Sequence, residues 1–303
     1  MLMSRNRAYL ILAGCLFALP VLCGVFGFTN ILSQKAKSPR SSWMKDISDD
    51  TVIQDLDIVG SHDSLALYGI GDLAGQCQSL PIGEQLELGV RLFDIRLKAS
   101  GSSLQAYHGI VDEKQMFHET ISVLHSFLTS HPSEALFVSI KNEDSKDKDV
   151  ARFNKLVDQQ IDPSYWYLNA AMPTTLGQIR GKMVLLSRYA EASHGVDWHN
   201  GWLDNESFSL GDSFYVQDQY ALDSIEKKKE AIAACYARAE TFKVNYFSGY
   251  LTSHFPPMHA PTFAKEINGW AKTYLPSVPK KGFMFFDFVN TELMDIVYGG
   301  GQK

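Results

Sequence analysis

Eight short runs rich in Val, Ile, Phe and Tyr punctuate the chain from Thr51 onward: TVIQDLDIV, VRLFDIRL, LQAYH, EALFVSIK, KMVLLSRY, SFYVQDQY, FKVNYFS and GFMFFDFV. Such runs favour strands, and helical patterns lie between them. In QMFHETISVLHSFLTSHPSE, Phe117, Ile121, Leu124 and Leu128 recur at helical spacing until His131-Pro132 stops the pattern. In SIEKKKEAIAACYARAETF, Ile225, Ile232 and Cys235 or Tyr236 form the apolar side. Strands interleaved with helices imply a parallel sheet, and eight of them over about 250 residues predict a (β/α)8 TIM barrel rather than a doubly wound sheet. No glycine-rich phosphate loop follows the first strand, which argues against the nucleotide-binding alternatives.

The N-terminal segment differs from this body. Arg5 and Arg7 precede a stretch from Ala8 to Phe28 that holds no charge, 21 residues in all. A cleaved signal peptide usually has an apolar region of about 7–15 residues, whereas a spanning helix needs roughly 17–25. Residues 1–30 therefore read as a signal peptide or an uncleaved signal anchor, and either places the body outside the cytoplasm, secreted or membrane-anchored. A polar tether follows over 31–41, and one catalytic-size domain over 42–303. Cys15 and Cys23 belong to the first segment, leaving Cys77 and Cys235 in the body, too few for a disulfide scaffold. A net charge of −6 on 303 residues gives no basis for binding nucleic acid.

A barrel enzyme collects its functional groups at the C-terminal ends of several strands. Here those ends carry His62 and Asp63, Asp94 and Arg96, His108, Lys141, Arg188, Asp218 with Tyr220, Asn245, and Asp287. Each alone has a plain structural account, and Asp63 and Ser64 also suit a local turn after the first strand. Together they would converge on one rim. Two imidazoles can serve as general base and general acid near neutral pH, and Arg96, Lys141 and Arg188 suit an anionic substrate, Arg being able to grip phosphate as a fork. Phosphodiester cleavage follows: a base activates a hydroxyl, an acid protonates the leaving alcohol, and an arginine stabilises the charge on the phosphoryl oxygens. That scheme needs no metal and no other cofactor.

The blocks VGSHDS, GVRLFDIRL, AYHG, PSEALFVSIKNE, RGKMVLLSRY, WLDNESF, VQDQY and FMFFDFVN, in this order from about Asp55 to Asn290, resemble those of bacterial-type phosphatidylinositol-specific phospholipase C. The resemblance implies a distorted TIM barrel that cleaves phosphatidylinositol, or a glycosylated phosphatidylinositol anchor, to diacylglycerol and inositol 1,2-cyclic phosphate. It implies His62 as base on the inositol 2-hydroxyl with Asp287 orienting it, and His108 as acid paired with Asp63. Arg96 would bind the phosphate with support from Asp94. Lys141, Arg188, Asp218 and Tyr220 would hold the inositol ring, and Trp202 would line the pocket. The expected partner is a phosphatidylinositol-type lipid in a membrane surface, and the expected state a monomer. Ser61 stands where the family commonly has Thr, and Tyr107 where bacterial relatives often have His. The apolar loop Leu65 to Gly75 has two readings, as a lipid contact at the barrel mouth or as a loop packed on the barrel. A barrel that only binds inositol lipid or glycan is the alternative to an enzyme, but binding does not require both an acid and a base.

Overall fold

In the computed structural model, fourteen strands and six α-helices are described across residues 39–69, 75–144, 149–238, 242–253 and 260–299. The strands are β1 (Ile58–Ser61), β2 (Leu92–Ser100), β3 (Ser103–His108), β4 (Val111–Met116), β5 (Leu136–Asn142), β6 (Trp166–Tyr167) and β7 (Met183–Arg188), followed by β8 (Val196–Asp197), β9 (Ser207–Leu210), β10 (Phe214–Gln217), β11 (Ala221–Leu222), β12 (Phe242–Tyr246), β13 (Tyr250–Leu251) and β14 (Phe283–Phe286). The helices are α1 (Ile82–Leu88), α2 (Phe117–Ser130), α3 (Val150–Asp158), α4 (Ile225–Tyr236), α5 (Ala260–Tyr274) and α6 (Thr291–Tyr298). The predicted signal or anchor segment lies outside the described residues. Of the predicted tether, Arg40 and Ser41 already touch the body, their carbonyls accepting hydrogen bonds from Arg91 at 3.2 and 2.9 Å.

The main sheet runs β6-β7-β5-β2-β1-β14-β12-β10-β9, parallel throughout except for β9 on β10. Its curl is visible in one contact. Phe137 on β5 and Phe283 on β14 lie three strand spacings apart in this order, about 14 Å along a flat sheet, yet their ring centroids are 4.8 Å apart. Alternation does the rest. Ile58, Leu92, Phe137, Val184, Leu186, Val216, Val244, Phe283 and Phe285 meet in one buried interior cluster, while Val59, Phe93, Ile95, Val138, Ile140, Leu185, Met284 and Phe286 pack outward with the helices. Trp198, fully buried after β8, closes on the rings of Phe214 and Phe283. At Gly60 a Cβ would sit 2.8 Å from the Leu92 side chain, so only glycine lets β1 lie this close to β2.

The expected distorted barrel is therefore present, with corrections to its staves. LQAYH is not a parallel stave: β3 turns back antiparallel on β2 and pairs with β4, forming a hairpin that overhangs the barrel. Of TVIQDLDIV only Ile58 and Val59 are strand, opening β1, because Ile53–Asp55 coil into a short 3-10 turn. No ladder joins β8 to β10 among the described residues, so the ring is not closed by hydrogen bonds. A buried ion pair braces the opposite end, Arg91 Nη2 lying 2.9 Å from Glu134 Oε2 with both side chains fully buried.

Candidate active site

At the C-terminal strand ends the chain turns sharply, and those turns carry the chemistry. After β1, Ser64 Oγ donates to the Ser61 carbonyl at 2.9 Å and accepts the Asp94 N–H at 2.8 Å, fastening the His62-Asp63 turn to β2. Asp63 takes a left-handed conformation there, φ 40°, which aspartate tolerates better than most residues. After β14, Phe288 has φ 51°, a strained geometry for a bulky side chain, and its N–H is held by the Cys77 carbonyl at 2.8 Å.

His62 sits between an acceptor and a donor. Its Nδ1–H donates to Asp287 Oδ1 at 2.7 Å, and Arg96 Nη2 donates to its Nε2 at 2.7 Å. These partners assign the neutral Nδ1–H tautomer with the lone pair on Nε2. Arg96 is fixed in turn by Asp94 Oδ2, which accepts from Nε at 3.0 Å and lies 2.9 Å from Nη2, and Asp63 Oδ2 lies 3.5 Å from Nη1. Burial alone would raise the Asp94 carboxyl, but Arg96 and His62 outweigh it and hold it well below the usual range. For Asp63, burial wins over the attraction of Arg96 and His108, and its pKa is raised. Burial works against the Arg96 cation too, yet Asp94 and Asp63 raise its pKa well above the ordinary value.

Across the pocket, His108 at the end of β3 donates Nδ1–H to the Gly75 carbonyl at 2.6 Å and places Nε2 3.7 Å from Asp63 Oδ2. The hairpin that carries it is anchored where Glu143 Oε1 accepts the Gly109 N–H at 3.0 Å. Glu143 also lies 3.0 Å from Lys141 Nζ. Burial opposes its charge, but Arg96 and Lys141 hold its carboxyl down at about 2. Further round, Arg188 Nη2 donates to Asp218 Oδ2 at 2.9 Å and stacks over Trp202 at 3.8 Å, while the Trp202 indole N–H donates to the same oxygen at 3.0 Å. Tyr220 donates its hydroxyl to Asp204 Oδ1 at 2.8 Å. These groups enclose a cavity of about 530 Å³ with His62, His108 and Asp287 at one side and Asp218 and Tyr220 at the other, within the usual range for a small-molecule site.

Residues 59–189 match the family model described as "Phosphatidylinositol-specific phospholipase C, X domain". Residues 59–189 are thus similar to the X domain of that family. The X-domain match spans His62 to Arg188, while Asp218, Tyr220 and Asp287 enter the same cavity from beyond it. The chain is 27% identical to a 1-phosphatidylinositol phosphodiesterase of Staphylococcus aureus over 91% of its own length and 95% of the relative's. It is 25% identical to one from Listeria monocytogenes over 74% of its length and 73% of the relative's. Solved structures share the fold: a variant of the phosphatidylinositol-specific phospholipase C of Staphylococcus aureus aligns with TM-score 0.71 at 23% identity, covering 85% of this chain and 97% of that one. That of Listeria monocytogenes aligns with TM-score 0.69 at 22% identity, again over 85% and 97%.

His62, Arg96, His108, Lys141, Arg188, Asp218, Tyr220 and Asp287 of the sequence-predicted positions line this cavity, Asp63 and Asp94 are buried beside Arg96, and two others do not line it. Asn245 faces outward, its amide donating to the Ile232 carbonyl of α4 at 3.2 Å. Trp202 reaches the substrate space through Arg188 and Asp218, which it buttresses from behind. Glu143, Tyr246, Asp204 and Cys77 went unread. The first two were available from strand period, since Glu143 shares the face of Lys141, and Tyr246, not Asn245, shares that of the interior residues Phe242 and Val244. Cys77 and Asp204 sit in loops with no periodic signal. Of the other histidines, His131 is buried, with Nδ1 3.0 Å from the Phe127 carbonyl, and His125 lies 3.7 Å from the Tyr165 ring. His254 and His259 lie outside the described residues, as does 70–74 of the Leu65 to Gly75 loop.

Proposed function

We propose that this chain cleaves phosphatidylinositol to diacylglycerol and inositol 1,2-cyclic phosphate, acting as a monomer at a membrane surface through two histidines and without a metal. The observation that carries the reading is the Asp287–His62–Arg96 relay, in which a carboxylate sets the tautomer and the free Nε2 lone pair meets the arginine suited to a phosphate.

In the proposed reaction the substrate phosphate occupies the fork of Arg96, leaving His62 Nε2 to take the proton of the inositol 2-hydroxyl. Asp287, buried, stabilises the imidazolium that results. The 2-oxygen attacks phosphorus, an intramolecular step with a high effective concentration, and Arg96 balances the charge on the phosphoryl oxygens. His108, held from behind by the Gly75 carbonyl, gives its Nε2 proton to the departing diacylglycerol oxygen, with Asp63 favouring its charged form. Lys141, Arg188, Asp218 and Tyr220 contact the ring, and Trp202 fixes the Arg188–Asp218 pair. A glycosylated phosphatidylinositol presents the same reacting groups. For the N-terminal 21-residue uncharged stretch we propose a signal or anchor role that delivers the body outside the cytoplasm; fractionation of the expressed chain tests it.

His62→Ala separates this reading from a barrel that only binds inositol lipid. Turnover on phosphatidylinositol vesicles should fall by about 10³-fold, the middle of the range for a positioned base, while binding of the vesicles persists. Unchanged turnover would remove His62 from the role.

A further inference from the structure

Cys77 is buried, and no step above uses it, yet it lies between both histidine–carboxylate pairs. Its Sγ is 4.0 Å from His108 Nδ1. Donor atoms of Cys77, His108 and Asp63 all lie within 4.8 Å of one another, and so do those of Cys77, His62 and Asp287. A second feature points the same way. Asp63 is 1% exposed, and its Oδ2 makes no hydrogen bond although it faces His108 Nε2 at 3.7 Å. With Arg96 Nη1 at 3.5 Å as its other cationic neighbour, this buried oxygen has both charges beyond hydrogen-bond distance and keeps acceptor capacity to spare.

The local charge favours a cation. Asp63 and Asp94 share a single guanidinium, Arg96, and Asp287 faces His62, while Lys141 and Arg188 have their own carboxylates in Glu143 and Asp218. Hard cations prefer cages of oxygen atoms, but a thiolate with an imidazole selects a soft divalent ion. Zinc bonds of about 2.0–2.3 Å put tetrahedral donors roughly 3.3–3.8 Å apart, so separations within 4.8 Å close with at most about 1.5 Å of side-chain adjustment.

We propose that Cys77, His108 and Asp63 form an inhibitory site for a soft divalent cation such as Zn²⁺ or Cd²⁺, with the fourth position open to the cavity. On binding, the Cys77 thiol releases its proton to solvent and His108 coordinates as neutral imidazole through Nε2. The ion then occupies the nitrogen that would protonate the leaving alcohol. That consequence, unlike binding itself, rests on the acid role proposed for His108.

The purified full-length chain is titrated with Cd²⁺ and followed by thiolate-to-metal charge-transfer absorption, alongside zinc inhibition of phosphatidylinositol cleavage as a fraction of each protein's own rate. The expected result is a band in the wild type that Cys77→Ala and the near-isosteric Cys77→Ser both lack, with zinc inhibition reversed by chelator and weakened at least about tenfold in both variants. The same band in wild type and variants, or undiminished zinc inhibition without Cys77, overturns the site. If the chain releases no diacylglycerol, the cadmium band alone decides the metal site, and only the functional reading falls.

Discussion

Arg96 touches three acidic or basic partners at once, and its geometry separates charge from shape. Lysine at this position keeps the charge but cannot reach Asp94 through two nitrogens while donating to His62 Nε2. Arg96→Lys should lower kcat by about 10²–10³-fold, the cost of losing one positioned donor at a developing charge; a loss under tenfold would show that charge alone suffices. Asp287→Asn tests the tautomer. An amide facing Nδ1 can donate to it, which moves the imidazole proton to Nε2 and removes the acceptor lone pair. A drop near 10⁴-fold is expected, the magnitude seen when the carboxylate of a serine-protease triad becomes an amide. It should come with intact folding by circular dichroism. Retained activity in Asp287→Asn would mean that the Nδ1 bond does not govern proton transfer.

At the scale of the element, α4 carries the least expected residue. Lys228 lies in EKKKEA, which reads as a solvated charge run, yet the side chain is fully buried, with Nζ 2.6 Å from the Gln219 carbonyl and 3.3 Å from Gln217 Oε1. It thereby braces the segment that presents Asp218 and Tyr220. Burial pulls its amine down to about 7 against the attraction of Asp218 and Asp287. With the folded value below the unfolded one, the unfolded chain binds more protons between about pH 7 and 10. The stability of the wild type relative to Lys228→Met should therefore rise with pH across that window in denaturant titrations, and a flat difference would contradict the shift. The same helix shows what was legible in sequence. Helical period places Lys228 on one stripe with Ile225, Ile232 and Cys235, but its charge argues for solvent, and only the tertiary partners Gln217 and Gln219 reveal its burial. Likewise LQAYH has strand composition, but composition carries no strand direction, so the hairpin of β3 and β4 was hidden. His62, Arg96 and Asp287 were legible because a barrel sends its parallel strand ends to one rim, whereas His108 reaches the same cavity from the antiparallel hairpin, outside that rule.

For the whole molecule, the two ends of the barrel divide the labour between function and stability. The C-terminal rim holds strained turns at Asp63 and Phe288 and a polar cavity. The opposite end holds Arg91, which donates to Glu134 and to the Leu86, Val90, Arg40 and Ser41 carbonyls at 2.8 to 3.2 Å. Removing one partner leaves a buried charge uncompensated, so Arg91→Ala should cost about 3–5 kcal/mol of folding stability. The folded fraction should keep its kcat, since none of these contacts reaches the cavity. A loss of kcat at full folding would mean that the two ends are coupled. The central claim is that the inositol 2-hydroxyl attacks phosphorus with histidines alone moving the protons. Phosphorus NMR of phosphatidylinositol vesicles treated with the chain, with and without chelator, tests it most directly. Inositol 1,2-cyclic phosphate should accumulate first and at the same rate in chelator; inositol 1-phosphate as the first product, or a reaction abolished by chelator, would rule this mechanism out.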